Sequence, residues 1–130
     1  MNMRVSAFEV ASRYVYPSIR RRLVEIMRSE KGLKQLQIAE LLHISQSAVS
    51  RYLRMNRGSI IDVSKFDDID SEVRELAERI IKEKLSEYEI HKELMRITLD
   101  FLKKGYGCSF HARIDPEIDP NSCRICMEIF

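Results

Sequence analysis

Three cysteines and one histidine form two closely spaced pairs after residue 107. Cys108 and His111 make a Cys-x2-His pair, and Cys123 and Cys126 make a Cys-x2-Cys pair, with residues 112–122 between them. Each short turn can deliver two ligands, and the intervening loop lets the pairs converge on one ion. The spacing therefore predicts a tetrahedral site of three thiolates and one imidazole. Zinc suits that ligand set, and a short tail with little core of its own would gain folding energy from it.

Other chemistries use the same side chains. The set could hold an iron–sulfur cluster, although four thiolates are commoner there, or it could remain as free thiols or a redox dithiol. A thioredoxin-like role is disfavoured because no βαβ pattern surrounds the Cys-x2-Cys pair. An odd number of clustered cysteines is not a disulfide framework, so we expect a reducing compartment, the cytoplasm.

A second set of residues, between Gln35 and Tyr52, has the pattern of a helix-turn-helix. Two short helices that cross steeply need a small residue where they meet, which Ala39 supplies, and a cap for the second helix, which Ser45 supplies. His43 stands at the turn where glycine is usual, and histidine is among the residues that tolerate a positive φ. Apolar residues that can fill the angle between the helices are Ile38, Leu42, Ile44, Val49 and Leu53.

The second of these helices is predicted to read DNA. It begins at Ser45, and its outward positions are Gln46, Ser47, Ser50 and Arg51. Glutamine can pair with adenine and arginine with guanine in the major groove.

Further contacts are expected with phosphates. Gln35 opens the preceding helix, where backbone N–H groups also point at a phosphate. Arg54 and Arg57 follow the reading helix and are predicted phosphate contacts. The run Arg20–Arg22 lies on a polar helix side, where a solvated face is at least as good an interpretation as a DNA contact.

The elements that must position these residues are all predicted to be helical. A short helix is expected within residues 1–15, and another opens at Pro17 and stops at Gly32. After the helix-turn-helix, apolar stripes and a capping box at Ser86 predict helices at about 71–84 and 87–104. We therefore predict an all-α chain with a DNA-binding domain at 1–60, a helical dimerisation or support region at 61–104 and a metal-binding tail at 105–130.

Charge is distributed unevenly along the chain. Its net charge is +2, but residues 1–60 carry 11 Lys and Arg against 4 Asp and Glu, a net charge of +7. Residues 61–104 carry 9 against 12, or −3, and residues 105–130 carry 2 against 4, or −2. This asymmetry favours a nucleic-acid-binding module attached to a body that does not bind nucleic acid. No apolar run is long enough to span a membrane.

Residues 17–58 resemble the lambda-repressor-like (Cro/cI-type) DNA-binding helix-turn-helix. The chain as a whole resembles small archaeal helix-turn-helix regulators with a tail of the form Cys-x-x-His…Cys-x-x-Cys. Its first part is similar to the DNA-binding half of archaeal thiamine-biosynthesis regulators, whose ligand domain is absent. The resemblance implies a transcriptional regulator without indicating its effector.

The predicted function is sequence-specific binding of double-stranded DNA in transcription regulation. Because one reading helix recognises only a few base pairs, we expect a homodimer, with helices 71–84 and 87–104 either pairing between chains or packing back within one chain. The alternatives are an iron–sulfur redox or metal-sensing protein and an antitoxin-like interaction protein. No nucleophile elbow or phosphate loop is present and the three histidines stand apart, so an enzyme is not expected.

Overall fold

The computed structural model describes residues 2–55 and 61–130, and all of its regular elements are helical. No described residue forms a strand, and none of the described helices is long and apolar enough to cross a membrane. The predicted all-α class is therefore confirmed. The α-helices are α1 (Ala7–Val10), α2 (Tyr16–Ser29), α3 (Gln35–Leu42), α4 (Gln46–Leu53), α5 (Asp67–Glu83), α6 (Glu87–Lys103), α7 (Cys108–Ile114) and α8 (Ile125–Ile129).

The chain is already helical before Pro17. The Ser6 hydroxyl accepts a hydrogen bond from the Glu9 backbone N–H (3.2 Å), and the Glu9 carboxylate accepts one from the Ser6 N–H (3.3 Å), which makes a capping box at the start of α1. A π-helical turn, Ala11–Val15, joins α1 directly to α2. Pro17 does lie in the first turn of α2, where its missing N–H is tolerated, but it does not begin the helical segment.

Helix α2 is the centre of the molecule. It packs against α3, α4, α5 and α6, and its inward side chains are fully buried. One connected apolar cluster extends from Val10 to Phe110, so residues from all three predicted segments contribute to it. Such burial is the main source of stability of the fold. The position of the helix-turn-helix is thus fixed by helices on both sides of it in sequence.

A charged network joins α2 to α5 at the edge of this core. The Arg22 guanidinium donates to the Asp70 carboxylate at 2.6 and 3.1 Å and to Glu25 at 2.6 Å. Arg74 donates to Asp70 at 2.6 Å and to Glu30 at 2.8 Å. Because both Arg22 and Asp70 are largely shielded from water, each requires the other as a partner.

Helices α5 and α6 occur where the apolar stripes predict them. Helix α6 begins after Ser86, whose hydroxyl accepts from the Glu89 N–H at 3.2 Å. Helix α5 begins at Asp67, four residues before the predicted start at 71. Its extra first turn is acidic, which suits the positive end of the helix dipole.

The short segment before α5 is packed against the core. Ile61 and Val63 are buried, and the buried Ser18 hydroxyl accepts from the Ile61 N–H at 3.0 Å. The segment contains a 3-10 turn, Val63–Lys65, and leads directly into α5.

Candidate functional site

The turn between α3 and α4 has the left-handed geometry that the helix-turn-helix requires. His43 adopts φ 59° and ψ 38°. The Ile44 N–H donates to the Ala39 carbonyl at 3.1 Å and the His43 N–H donates to the Glu40 carbonyl at 3.4 Å. This pair of bonds is a Schellman motif, which satisfies carbonyls that the end of a helix would leave unpaired. Ala39 is buried where the two helices approach, as predicted.

A side-chain contact explains why histidine, and not glycine, occupies the turn. The His43 Nε2 lies 3.1 Å from the Leu85 carbonyl oxygen, and since a carbonyl can only accept, Nε2 carries the proton. Leu85 belongs to the connection between α5 and α6. The histidine therefore ties the turn of the helix-turn-helix to the supporting helices, which a glycine could not do.

Helix α4 presents the predicted reading residues on its outer side. The Ser45 hydroxyl caps it by accepting from the Ala48 N–H at 3.1 Å. Gln46, Ser47 and Arg51 are exposed. None of these three side chains has a hydrogen-bond or ion-pair partner among residues 2–55 and 61–130.

The remaining predicted DNA contacts lie around this helix. Ser50 on α4 and Gln35 at the first position of α3 are half-buried, and Arg54 directly after α4 is exposed. Arg57 lies outside the described residues. Val49, on the inner side of α4, is fully buried in the core.

The arginine run in α2 is half-buried and contacts other side chains of the protein, so it is not a solvated face. The Arg20 guanidinium lies over the rings of Tyr16 and Tyr52, 5.7 and 5.2 Å from their centres. Arg21 pairs with Glu25 at 3.3 Å, and its own Nε is buried without a hydrogen-bond partner. With Arg22 bound to Asp70, the run is part of the packing of α2.

The four predicted metal ligands line one small cavity, together with apolar side chains from α1 and α6. Cys108, His111, Cys123 and Cys126 all line it, and it has a volume of about 10 Å³. Burial raises the pKa of Cys126 to about 11, with a further contribution from the nearby Cys108 and Cys123 thiols. Burial and the Cys123 thiol also raise the pKa of Cys108. The four predicted ligands therefore lie together at one cavity.

These side chains are not arranged as a ready-made metal site. Among the described residues, no group of three or more His, Cys, Asp and Glu side chains could hold a metal ion as it stands. The His111 Nε2 lies 2.5 Å from the Val5 carbonyl oxygen and must donate to it, which leaves only Nδ1 as a possible ligand. A backbone carbonyl is a common partner for the second nitrogen of a metal-ligating histidine. Three thiols and one imidazole fit zinc chemically, but the pairs would have to move to bind it.

The tail is fastened to the beginning of the chain by contacts that the sequence did not indicate. The buried Asp115 carboxylate accepts from the backbone N–H groups of Arg4 (2.7 Å) and Val5 (2.9 Å). Together with the bond from His111 to Val5, these contacts form what we call the terminal clasp. No spacing rule relates residues so distant in sequence. The one local feature that the sequence offers nearby is the capping box that begins α1 directly after Val5, and it indicates a helix start but no contact with the tail.

Comparisons with known proteins identify the helix-turn-helix alone. Residues 18–55, which include most of α2 and all of α3 and α4, match the family of winged helix-turn-helix DNA-binding domains. No curated protein and no solved structure matches the chain significantly. The match covers the segment whose geometry is described above and leaves α5–α8 without a counterpart. Residues 18–55 therefore carry a helix-turn-helix of the DNA-binding kind.

Proposed function

We propose that this protein is a sequence-specific DNA-binding transcription regulator that acts on the chromosome in the cytoplasm. The observation that carries the proposal is the outer side of α4, where Gln46, Ser47 and Arg51 are exposed and have no partner among the described residues. Exposed polar side chains without partners at the start of a short, capped helix suit a surface that contacts base edges in the major groove. The match of residues 18–55 to DNA-binding helix-turn-helix domains supports this proposal.

The proposed contacts divide into two classes. Gln46, Ser47, Ser50 and Arg51 would enter the major groove from the capped start of α4 and read bases. The phosphate contacts would be the Ser45 end of α4, the first turn of α3 at Gln35, and the basic side chains that follow α4, Arg54 and Arg57. Base contacts specify the sequence, whereas phosphate contacts only position the protein.

The experiment begins with selection of bound sites from a random DNA pool. Affinities for the selected and a scrambled site are then measured for the wild type, Arg51→Ala and Arg54→Ala. Arg51→Ala should lose about 1–3 kcal/mol on the selected site and relax the preference at one base pair. Arg54→Ala should weaken both sites alike and reduce the salt dependence of binding by about one ion.

Lys82→Ala is the matched control, because it removes one exposed positive charge from α5, which is outside the two helices proposed to contact DNA. It should leave both affinities nearly unchanged. Equal losses on the selected and scrambled sites for Arg51→Ala would show that α4 does not read bases. Absence of any selected sequence, with weak and salt-insensitive binding, would overturn the regulator itself.

For the tail we propose a structural zinc site that supports the regulator without touching DNA. The ligands would be Cys108, His111 through Nδ1, Cys123 and Cys126. The ion would cross-link α7 to α8. The four side chains share one cavity, and the net charge of −2 on residues 105–130 would be repelled by phosphate. An iron–sulfur cluster on the same residues is the alternative, and it would make the protein brown and its DNA affinity sensitive to oxygen.

Metal analysis of protein purified without oxygen or chelator tests this tail site. We expect one zinc per chain and a colourless protein, no metal in Cys123→Ala, and full occupancy in the control Ser122→Ala. A wild type that contains no metal and still has an ordered tail would overturn the site. Because DNA binding is measured separately, that result would leave the proposed regulator standing.

A further inference from the structure

The apolar stripes that the sequence offered for pairing between chains are used within one chain. Leu76 and Ile80 of α5 and Leu94 and Ile97 of α6 are buried in the common core. Helix α5 packs on α2 and α6, and α6 packs on α2. A dimer must therefore use another surface.

One such surface is an apolar groove between α1 and the outer side of α6, which we call the α1–α6 groove. It encloses about 500 Å³, and no charged side chain lines it. Three large side chains in it face solvent, since Phe8 is 73% exposed, Met95 57% and Leu99 43%. Exposed apolar side chains gathered in one groove are typical of interaction sites.

The α1–α6 groove does not overlap the proposed DNA-reading residues of α4, but a chain of side-chain contacts connects it to that helix. None of the proposed base-reading residues lines it. Tyr16 lines one end, where its hydroxyl and the His91 Nδ1 are 2.8 Å apart. Arg20 lies over both Tyr16 and Tyr52, and Tyr52 belongs to α4. A partner in the groove would thus leave α4 free for DNA while fixing its position.

The charges along α6 favour a second copy of the same helix as the partner, in antiparallel orientation. Glu87 and Glu89 lie in its first turn, Lys103 in its last turn, and Met95 at its midpoint. If two copies of α6 pair antiparallel around Met95, the acidic end of each faces the basic end of the other, whereas parallel pairing would bring like charges together. Such a two-fold arrangement is self-complementary, as a symmetric dimer requires.

We propose that the α1–α6 groove binds a second copy of this chain, with the two α6 helices antiparallel about a two-fold axis. The need for two half-sites, about 34 Å apart on DNA, rests on the proposed function. The interface itself rests on the exposed apolar groove and on the charge pattern of α6, and it is tested without DNA.

Sedimentation equilibrium of the full chain over a range of concentrations is the test. The wild type should be a dimer, and Leu99→Glu should raise the dimer dissociation constant by roughly a hundredfold or more, because it places a charge in a desolvated interface. The matched control is Leu36→Glu, at a leucine on α3 that lies outside the groove and is more exposed (55%) than Leu99, and this variant should remain dimeric. A wild type that is monomeric up to its solubility limit, or a Leu99→Glu variant that remains dimeric, would overturn the proposal.

A second measurement uses only the wild type, so its result does not depend on whether a variant folds. In the wild type, the methyl NMR signal of Met95 should shift with protein concentration, while that of the buried Met27 should not. If Met95 is silent while the protein dimerises, another surface forms the dimer.

Charge reversal tests the direction of the helices. Glu87→Lys should weaken association by roughly tenfold, since two symmetric pairs become repulsive, and Glu87→Lys combined with Lys103→Glu should restore it. Failure of the double variant to recover would overturn the antiparallel arrangement. DNA affinity enters none of these readouts, so failure of the interface is distinct from failure of the proposed regulator.

Discussion

The helix-turn-helix and the C-terminal tail are held in shape by different kinds of contact. The backbone and capping bonds that form the α3–α4 turn join residues no more than five apart, such as Ile44 and Ala39 or Ser45 and Ala48. The bonds of the terminal clasp join residues 106 to 111 apart. The first region carries its shape largely in its own sequence, whereas the second depends on a segment at the other end of the described chain.

The largest expected effect comes from removing the long-range support beneath the helix-turn-helix. Asp70→Asn removes the most deeply buried carboxylate that binds Arg22 and leaves Arg22 with Glu25 and Glu30, so we expect a loss of about 3 kcal/mol in the free energy of unfolding. Urea unfolding at neutral pH measures it, with the exposed Asp67→Asn as control. A loss confined to α5, with α3 and α4 still protected from hydrogen exchange, would show that the helix-turn-helix stands alone.

The same carboxylate predicts how stability depends on pH. Burial raises the pKa of Asp70, but the hydrogen bonds from Arg22 and the charges of Arg22 and Arg74 outweigh it and hold the pKa below its ordinary value. The stabilisation is thus present above the unfolded pKa of about 3.9 and is lost as pH falls through the lower native pKa. In urea unfolding below about pH 4, the wild type should lose this part of its stability, and the gap to Asp70→Asn should narrow. A constant gap down to the lowest pH would contradict the assignment.

A smaller effect on stability is expected at His43, which has two roles in the α3–α4 turn: a left-handed backbone conformation and a side-chain bond to the Leu85 carbonyl. His43→Ala keeps the cost of a left-handed residue and loses the bond to Leu85, so it should lower stability by about 1 kcal/mol. His43→Gly loses the same bond but relieves the backbone, and it should unfold close to the wild type. Thermal unfolding of the pair measures the difference. Equal losses would mean that the positive φ costs nothing at this turn.

The smallest effect on the helix-turn-helix is expected from cutting the terminal clasp. Asp115→Ala should speed hydrogen exchange at the Arg4 and Val5 amides and through α7, since their acceptor is gone. Exchange in α3 and α4 should stay at its wild-type rate. The control is Asp119→Ala, an exposed carboxylate whose bonds are with Asn121 and Ser122. Faster exchange throughout the chain would contradict the distinction between the two regions.

Sequence reasoning succeeded where the determinants are local. The cap at Ser45, the small residue at Ala39 and a left-handed His43 were all predicted, because each follows from one or two residues and a turn geometry. The start of α1 was missed, although Ser6 and Glu9 carry the capping-box spacing.

Sequence reasoning was less successful for side chains whose partners are distant in sequence and close only in the folded chain. The Cys-x2-His and Cys-x2-Cys spacing indicated that four side chains would lie near one another, and they line one cavity. It could not show that His111 also bonds to Val5, nor that Arg22 is bound to Asp70. Which residue meets which across a fold depends on how the helices pack, and periodicity shows only that a face is apolar.

The terminal clasp also gives the protein an order of assembly. During synthesis, Arg4 and Val5 leave the ribosome long before Asp115, and closing so long a loop is slow compared with forming a helical turn. The helices from α2 to α6 can therefore pack while the first residues still wait for their acceptor. The cavity that the three cysteines line is also lined by Met3 and Ala7, which lie on either side of the clasp residues Arg4 and Val5, so we expect the thiols to react less readily with oxidants once the clasp has formed.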